Sequence, residues 1–320
     1  MVYGLILLLV VITLIFGKIS IKLGMSEVVG QLLSGIILGA GLLNIVHPTN
    51  LIHLISEVGI FILMLNSGME SDIKEMRKHI KASTIIAILG VVLPMVAFPI
   101  VFALSGYSLI SSLFAGVVFS ATSISITLSV LAEQKKLGTP MGAIILSAAV
   151  LDDIIALVAV TLFSIFIGGG TLGITSILPL IAFILGILLR KIPASDILSK
   201  VSSQLGRWFF YPVFFGAIGL EVSIQGLGNK VIPIILFSVL AVITKFAGSF
   251  IGARLSGLNY RVANAIAAGM VSRGEMALII TQIGIAANII NEDISGEFII
   301  AIIISTIVAP IMMKPLFSRT

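Results

Sequence analysis

The chain has 320 residues, of which 58% are hydrophobic and only 10% charged, and its mean hydropathy is +1.24. This composition points to an integral membrane protein and leaves no long polar stretch for an attached nucleotide-sensing or kinase module. With no cysteine there are no disulfides, thiolate metal sites or cysteine nucleophiles, and His47, His53 and His79 lie in or near loops, so no zinc site is implied.

Eleven apolar runs fall at about 3–17, 28–43, 51–69, 82–104, 108–131, 140–167, 172–189, 205–220, 231–253, 262–289 and 298–317. Each predicts a transmembrane helix, giving an all-α polytopic membrane protein in one domain, residues 1–320. The first run starts without a charged side chain and no small-residue cleavage site follows, so it is expected to be a retained span and not a signal peptide. Basic residues alternate from loop to loop. Lys18 and Lys22, Lys74 to Lys81, Lys135 and Lys136, Arg190 to Arg207, Arg254 and Arg261, and Lys314 and Arg319 fall on one side, against Lys230 alone on the other. By the positive-inside rule the expected location is the cell membrane, with the amino terminus outside and the carboxyl terminus in the cytoplasm. The net charge of +5 is thus explained by topology, and a nucleic-acid partner is not expected.

A weak internal repeat is visible. Gly68-Met69-Glu70-Ser71-Asp72-Ile73 recurs as Gly219-Leu220-Glu221-Val222-Ser223-Ile224, and the same offset sets Ser120-Ala121-Thr122-Ser123 beside Val271-Ser272-Arg273-Gly274. Runs two to six would then repeat as runs seven to eleven, with repeat one at about 28–167, repeat two at about 172–318 and the helix at 3–17 left over. Five helices per copy is odd, so the second copy enters the membrane from the opposite side, an inverted-topology repeat of the kind that builds secondary transporters. The fifth run crowds hydroxyls and β-branched residues at Ser120 to Thr127, and the tenth carries Gly269, Ser272, Arg273, Gly274 and Glu275 at the same depth. Both are expected to be discontinuous, freeing backbone groups that can act as ligands where they face a cavity.

The sixth run holds two adjacent carboxylates, Asp152 and Asp153. Counted at about 1.5 Å per residue from Lys135-Lys136 they lie roughly 20 Å in, near the centre of a hydrocarbon core about 30 Å thick. One Asp there costs about 2.5–3.5 kcal/mol on insertion scales, so the pair reads as an ion or proton site. Lys245, Arg273 and Glu275 share that depth. Two cations and three carboxylates leave one carboxylate over. Arg273 and Glu275 are expected to form a structural charge pair, and Lys245, which can lose its proton when desolvated, is expected to hold one of the two aspartates. The other faces a cavity with the hydroxyls of Thr122 and Ser123. This all-oxygen environment suits a hard monovalent cation, and a proton competes with it for the one charge, which yields antiport.

These residues resemble a family. Val28 to Gly39, Gly68-Met69-Glu70, Ala121-Thr122-Ser123, Asp152-Asp153, Lys245 and Ser272-Arg273-Gly274-Glu275, in this order and spacing, are similar to the monovalent cation:proton antiporters of the NapA/Kef type. The resemblance implies the NhaA/NapA-like antiporter fold with two discontinuous crossing helices, and a homodimer with a mobile core domain and a dimerisation domain. It also implies that Asp153 binds the ion, that Asp152 pairs with Lys245, and that exchange of sodium for protons is electrogenic. Sodium is then expected on Asp153, with Asp152 and Thr122 beside it, and no cofactor beyond the transported ions. The family's chains have about thirteen helices, and the shortfall here falls between the sixth and ninth runs, which puts the dimer interface in question. A potassium/proton antiporter on the same scaffold, a sodium-coupled organic solute carrier and a gated channel are the competing readings. An enzyme is not expected, since no nucleophile with an oriented base and no phosphate loop is present.

Overall fold

The computed structural model describes residues 2–71, 73–167, 174–192, 195–222 and 230–318. Among them are fourteen α-helices and no strand: α1 Val2–Lys22, α2 Glu27–Leu38, α3 Asn50–Glu70, α4 Ile73–Leu104, α5 Leu109–Val118, α6 Ile124–Glu133, α7 Pro140–Ile167, α8 Ile174–Leu189, α9 Ser195–Leu205, α10 Tyr211–Leu220, α11 Val231–Leu255, α12 Tyr260–Val271, α13 Glu275–Ala286 and α14 Glu292–Phe317. A π-helical turn, Gly206–Phe210, joins α9 to α10. Six helices, α1, α3, α4, α7, α11 and α14, are long and apolar enough to cross a membrane alone. Helix starts are written locally: Ser26, Thr49, Ser108, Asn259 and Asn291 each accept a first-turn backbone N–H with the side chain.

The fifth and tenth runs are interrupted as expected. The fifth divides into α5 and α6, the tenth into α12 and α13. The eighth run starts earlier than its apolar stretch, because the amphipathic α9 precedes it without a break. Of the repeated hexapeptides, Asp72, Ser223 and Ile224 lie outside the described residues.

The helices sort into two bundles. In one, α1, α2, α3, α9 and α10 pack together with α8; in the other, α4 to α7 pack with α11 to α14. Among the described residues it is chiefly α8 that meets the second bundle, through α7 and α13. Within each bundle close contact depends on glycine. A side-chain carbon on Gly35 of α2 would lie 2.1 Å from the Gly216 carbonyl of α10, and one on Gly248 of α11 would lie 2.3 Å from the Leu89 carbonyl of α4. Small residues of this kind let helix backbones meet where lipid offers no hydrophobic drive for association.

Lys230, the lone basic residue on its side, has a structural explanation. It sits at the start of α11, 2.6 Å from the fully buried carboxylate of Glu297 on α14, and the Tyr107 hydroxyl donates to the same carboxylate. Burial and this bond hold the Tyr107 phenol well above its ordinary pKa. Glu297 was not among the midplane charges because it falls at the polar edge of the last apolar run, where a carboxylate reads as a loop residue. Beside it, Phe102 stacks on Phe237 and Phe98 on Phe119, with Phe298 edge-on to Phe119.

Candidate ion-binding site

The breaks between α5 and α6 and between α12 and α13 lie against each other. The Ser123 amide donates to the Ser272 carbonyl (2.8 Å), and the Ser272 hydroxyl donates back to the Ser123 carbonyl (2.8 Å). Thr127 donates to the Gly269 carbonyl at 2.7 Å, and Thr122 to that of Met270 at 3.3 Å. The Ser123 amide and the carbonyls of Ser123, Gly269, Met270 and Ser272 are thus satisfied across the crossing. Gly274 leaves room for this: a side-chain carbon there would lie 2.8 Å from the Ser123 hydroxyl.

Two buried cations complete the crossing. Lys245 donates from α11 to the freed carbonyl of Ser120 and to Asp152 Oδ1 at 2.5 Å, with both side chains fully buried. Arg273, also fully buried, donates from Nη1 to the Ala121 carbonyl and from Nη2 to that of Ala241, each at 2.8 Å, and its guanidinium lies 5.7 Å from the Phe119 ring centre. The Thr306 hydroxyl on α14 donates to the Arg273 carbonyl at 2.5 Å.

The expected Arg273–Glu275 charge pair is not formed. Arg273 is drawn into the crossing by two carbonyls, while Glu275 opens α13 and accepts from the Ser123 and Ser125 hydroxyls at 2.9 and 2.8 Å. A carboxylate in the first turn also suits the positive end of α13. The two residues thus brace the crossing separately, one through backbone carbonyls and one through hydroxyls.

The lysine–aspartate pairing is present, and it falls on Asp152. Asp153, its neighbour on α7, is 4% exposed, makes no ion pair and has a buried Oδ1 without a hydrogen-bond partner. Adjacent helical residues point about 100° apart, so one carboxylate meets α11 while the next does not. Orphaned polar atoms collect here: Asp152 Oδ2, Asp153 Oδ1, Arg273 Nε and the Ser249 hydroxyl are all buried and unpartnered. Native interiors rarely leave such a cluster without a ligand or water to bind it. The hydroxyls of Thr122 and Ser123 bond to Met270 and Glu275, and neither bonds to Asp153. On the α6 side of the break, towards the basic loops, Ser125 is exposed and Glu275 only half-buried. Among the described residues no group of three or more His, Asp or Glu side chains is placed to hold a resident metal.

A transmembrane family described as sodium/hydrogen exchanger matches this chain over residues 6–192 and 172–319. The chain belongs to the sodium/hydrogen exchanger family. A Na(+)/H(+) antiporter of Enterococcus hirae is 32% identical over 378 residues, covering 97% of each chain, and the Na(+)/H(+)-K(+) antiporter GerN of Bacillus cereus is 28% identical over 368 residues, covering 97% of this chain and 95% of GerN. The solved sodium proton antiporter MjNhaP1 of Methanocaldococcus jannaschii superposes with a TM-score of 0.76 at 16% identity, covering 99% of this chain and 97% of that one. That likeness establishes the antiporter fold. Both alignments to the exchanger relatives are longer than this chain, so those proteins carry segments without a counterpart here. The family match divides into two stretches that overlap on 172–192, where α8 stands.

Proposed function

We propose that this chain is a secondary sodium/proton antiporter in which a proton and a sodium ion compete for Asp153 at the crossing, exposed alternately to the two sides of the membrane. The observation that carries the reading is the asymmetry of two adjacent carboxylates: Asp152 is neutralised by Lys245 and Asp153 is not. An unpaired carboxylate at membrane depth survives protonated or cation-bound, and these two forms are the two halves of an exchange cycle. Asp153 releases its proton as the cation arrives, and Asp152 and Thr122 supply further oxygens once the site closes on it. The sparse seam between the bundles supports alternating access by movement of one against the other. Each bundle draws helices from both halves of the chain, which supports the inverted repeats at about 28–167 and 172–318.

Exchange would be electrogenic. If cation entry draws Asp152 away from Lys245, the lysine releases a second proton, and two protons move against one cation. The reading includes a cell-membrane homodimer with the amino terminus outside. A potassium/proton exchanger is the second reading, favoured by the name of GerN, and cavity radius decides between them. Proteoliposome proton flux driven in turn by sodium, lithium and potassium gradients tests both. Sodium-driven flux that is lost in Asp153→Asn, with the variant still folded, is the expected result. Normal flux in that variant removes Asp153 from the mechanism, and flux with potassium alone establishes the second reading.

A further inference from the structure

Alternating access requires that whatever joins the two bundles be broken in each cycle. Among the described residues one side-chain hydrogen bond crosses the seam: Gln282 Nε2 of α13 donates to Glu221 Oε2, just past the end of α10, at 2.9 Å. On the side of its own bundle, Glu221 Oε1 lies 3.8 Å from His53 Nδ1 of α3. This bond borders a cavity of about 110 Å³ between α13 on one face and α3, α8 and α10 on the other, with Glu57 and Ser56 also on its wall. Asp153 does not line it. Gln282 stands seven residues beyond Glu275 along α13, about 10 Å from the crossing and away from the basic loops. The cavity thus lies at the end of the seam away from the basic loops, with the exposed His53 and Glu57 on its wall.

We propose that Gln282 and Glu221 form the latch of the outer gate, a positioning pair that sets how often the seam opens on the side opposite the basic loops. It takes no part in binding the ion. Gln282 shares the rigid helix α13 with Glu275, so any displacement of the crossing relative to α10 separates donor from acceptor. The rest of the seam is well suited to opening, since Phe214, Ile218 and Ile283 on its wall carry no directional bond. A hydrogen bond to a carboxylate is worth a factor on the order of ten or more in an equilibrium constant, enough to set the balance between two states of similar stability.

The proposal rests on the alternating-access reading above, and its test does not depend on which cation is carried. The chain has no cysteine, so one introduced at Ala217, a small residue on the cavity wall, is a unique label site. In proteoliposomes of the Ala217→Cys protein, a membrane-impermeant maleimide is added on the cavity side and the labelling rate measured. Gln282→Leu and Gln282→Glu, which remove the bond by different chemistry, should each label about tenfold faster. Glu221→Gln keeps an acceptor oxygen without the charge and should label at a rate between those of the parent and the Gln282 variants. Unchanged labelling in both Gln282 variants overturns the latch, and labelling of Glu221→Gln faster than that of the Gln282 variants overturns the hydrogen bond as its basis. Sodium-driven proton flux of the parent is recorded in the same vesicles. Flux with unaltered labelling counts against the latch alone, and altered labelling without flux counts against the exchange reading alone.

Discussion

The two bundles are built by the same packing device and differ in what they bury. In both, glycines let backbones approach until a single added carbon would strike a carbonyl, at Gly35 in one and Gly248 in the other. Yet among the described residues the fully or nearly fully buried charges, Asp152, Asp153, Lys245, Arg273 and Glu297, all belong to the bundle of α4 to α7 and α11 to α14. The bundle around α3, α8 and α10 buries neutral groups such as Gln31 and Asn66, the latter donating to the Tyr211 hydroxyl and accepting from Ser202. Burying charge is costly, and all of it falls in the bundle that also has broken helices. Breaks and charges belong together there, because Ser120 and Ala121 at the break offer carbonyls to the very cations that need them.

The sharpest test of this difference removes one buried charge. Asp152→Asn leaves Lys245 with one neutral carbonyl and a neutral amide, and breaking a buried pair costs about 3–5 kcal/mol. Folded yield and thermal stability in detergent should fall accordingly, while Asp153→Asn, which strands no partner, should stay close to the parent. Equal loss in both would mean that the two aspartates are not divided into pair and carrier.

The glycine contacts should show the opposite pattern. Gly35→Ala and Gly248→Ala each force backbones apart, with overpacking typically costing about 1–3 kcal/mol, so the two bundles should suffer alike. A large loss at Gly248 with none at Gly35 would show that only the charged bundle is tightly packed.

A smaller, purely functional contrast concerns Lys245. Replacing it by Gln removes a titrating group from the crossing, and whatever exchange survives should lose its dependence on membrane potential. Transport against an imposed potassium-diffusion potential measures this. A parent protein indifferent to potential contradicts the electrogenic reading, and a voltage-sensitive Lys245→Gln shows that the lysine carries no transported proton.

Much of this was legible in the residues. Period and length mark the helices; Gly, Ser and Thr in the middle of apolar runs mark the breaks; and Asp152-Asp153 with Lys245 mark the crossing, since charge at that depth has few explanations. Partner choice was not legible. Arg273 and Glu275, two residues apart, looked paired because opposite charges attract. What separates them is the shape of the break, where carbonyls of another helix outcompete a carboxylate for the guanidinium. Glu297 and the Gln282–Glu221 contact escaped for a similar reason: a carboxylate or amide near a helix end reads as solvated until packing shows what lies opposite.

The central claim is competition of proton and cation for Asp153. The most direct measurement is the apparent sodium KM of the parent protein in proteoliposomes, taken at a series of pH values equal on both sides. Competition predicts that KM rises as pH falls: the proton on Asp153 contributes about tenfold per pH unit once the carboxylate is mostly protonated, and the second proton released from Lys245 in the electrogenic cycle steepens this further, while the maximal rate at saturating sodium holds steady. A KM independent of pH, with the maximal rate falling instead, would mean that proton and cation occupy separate groups and would contradict the shared site.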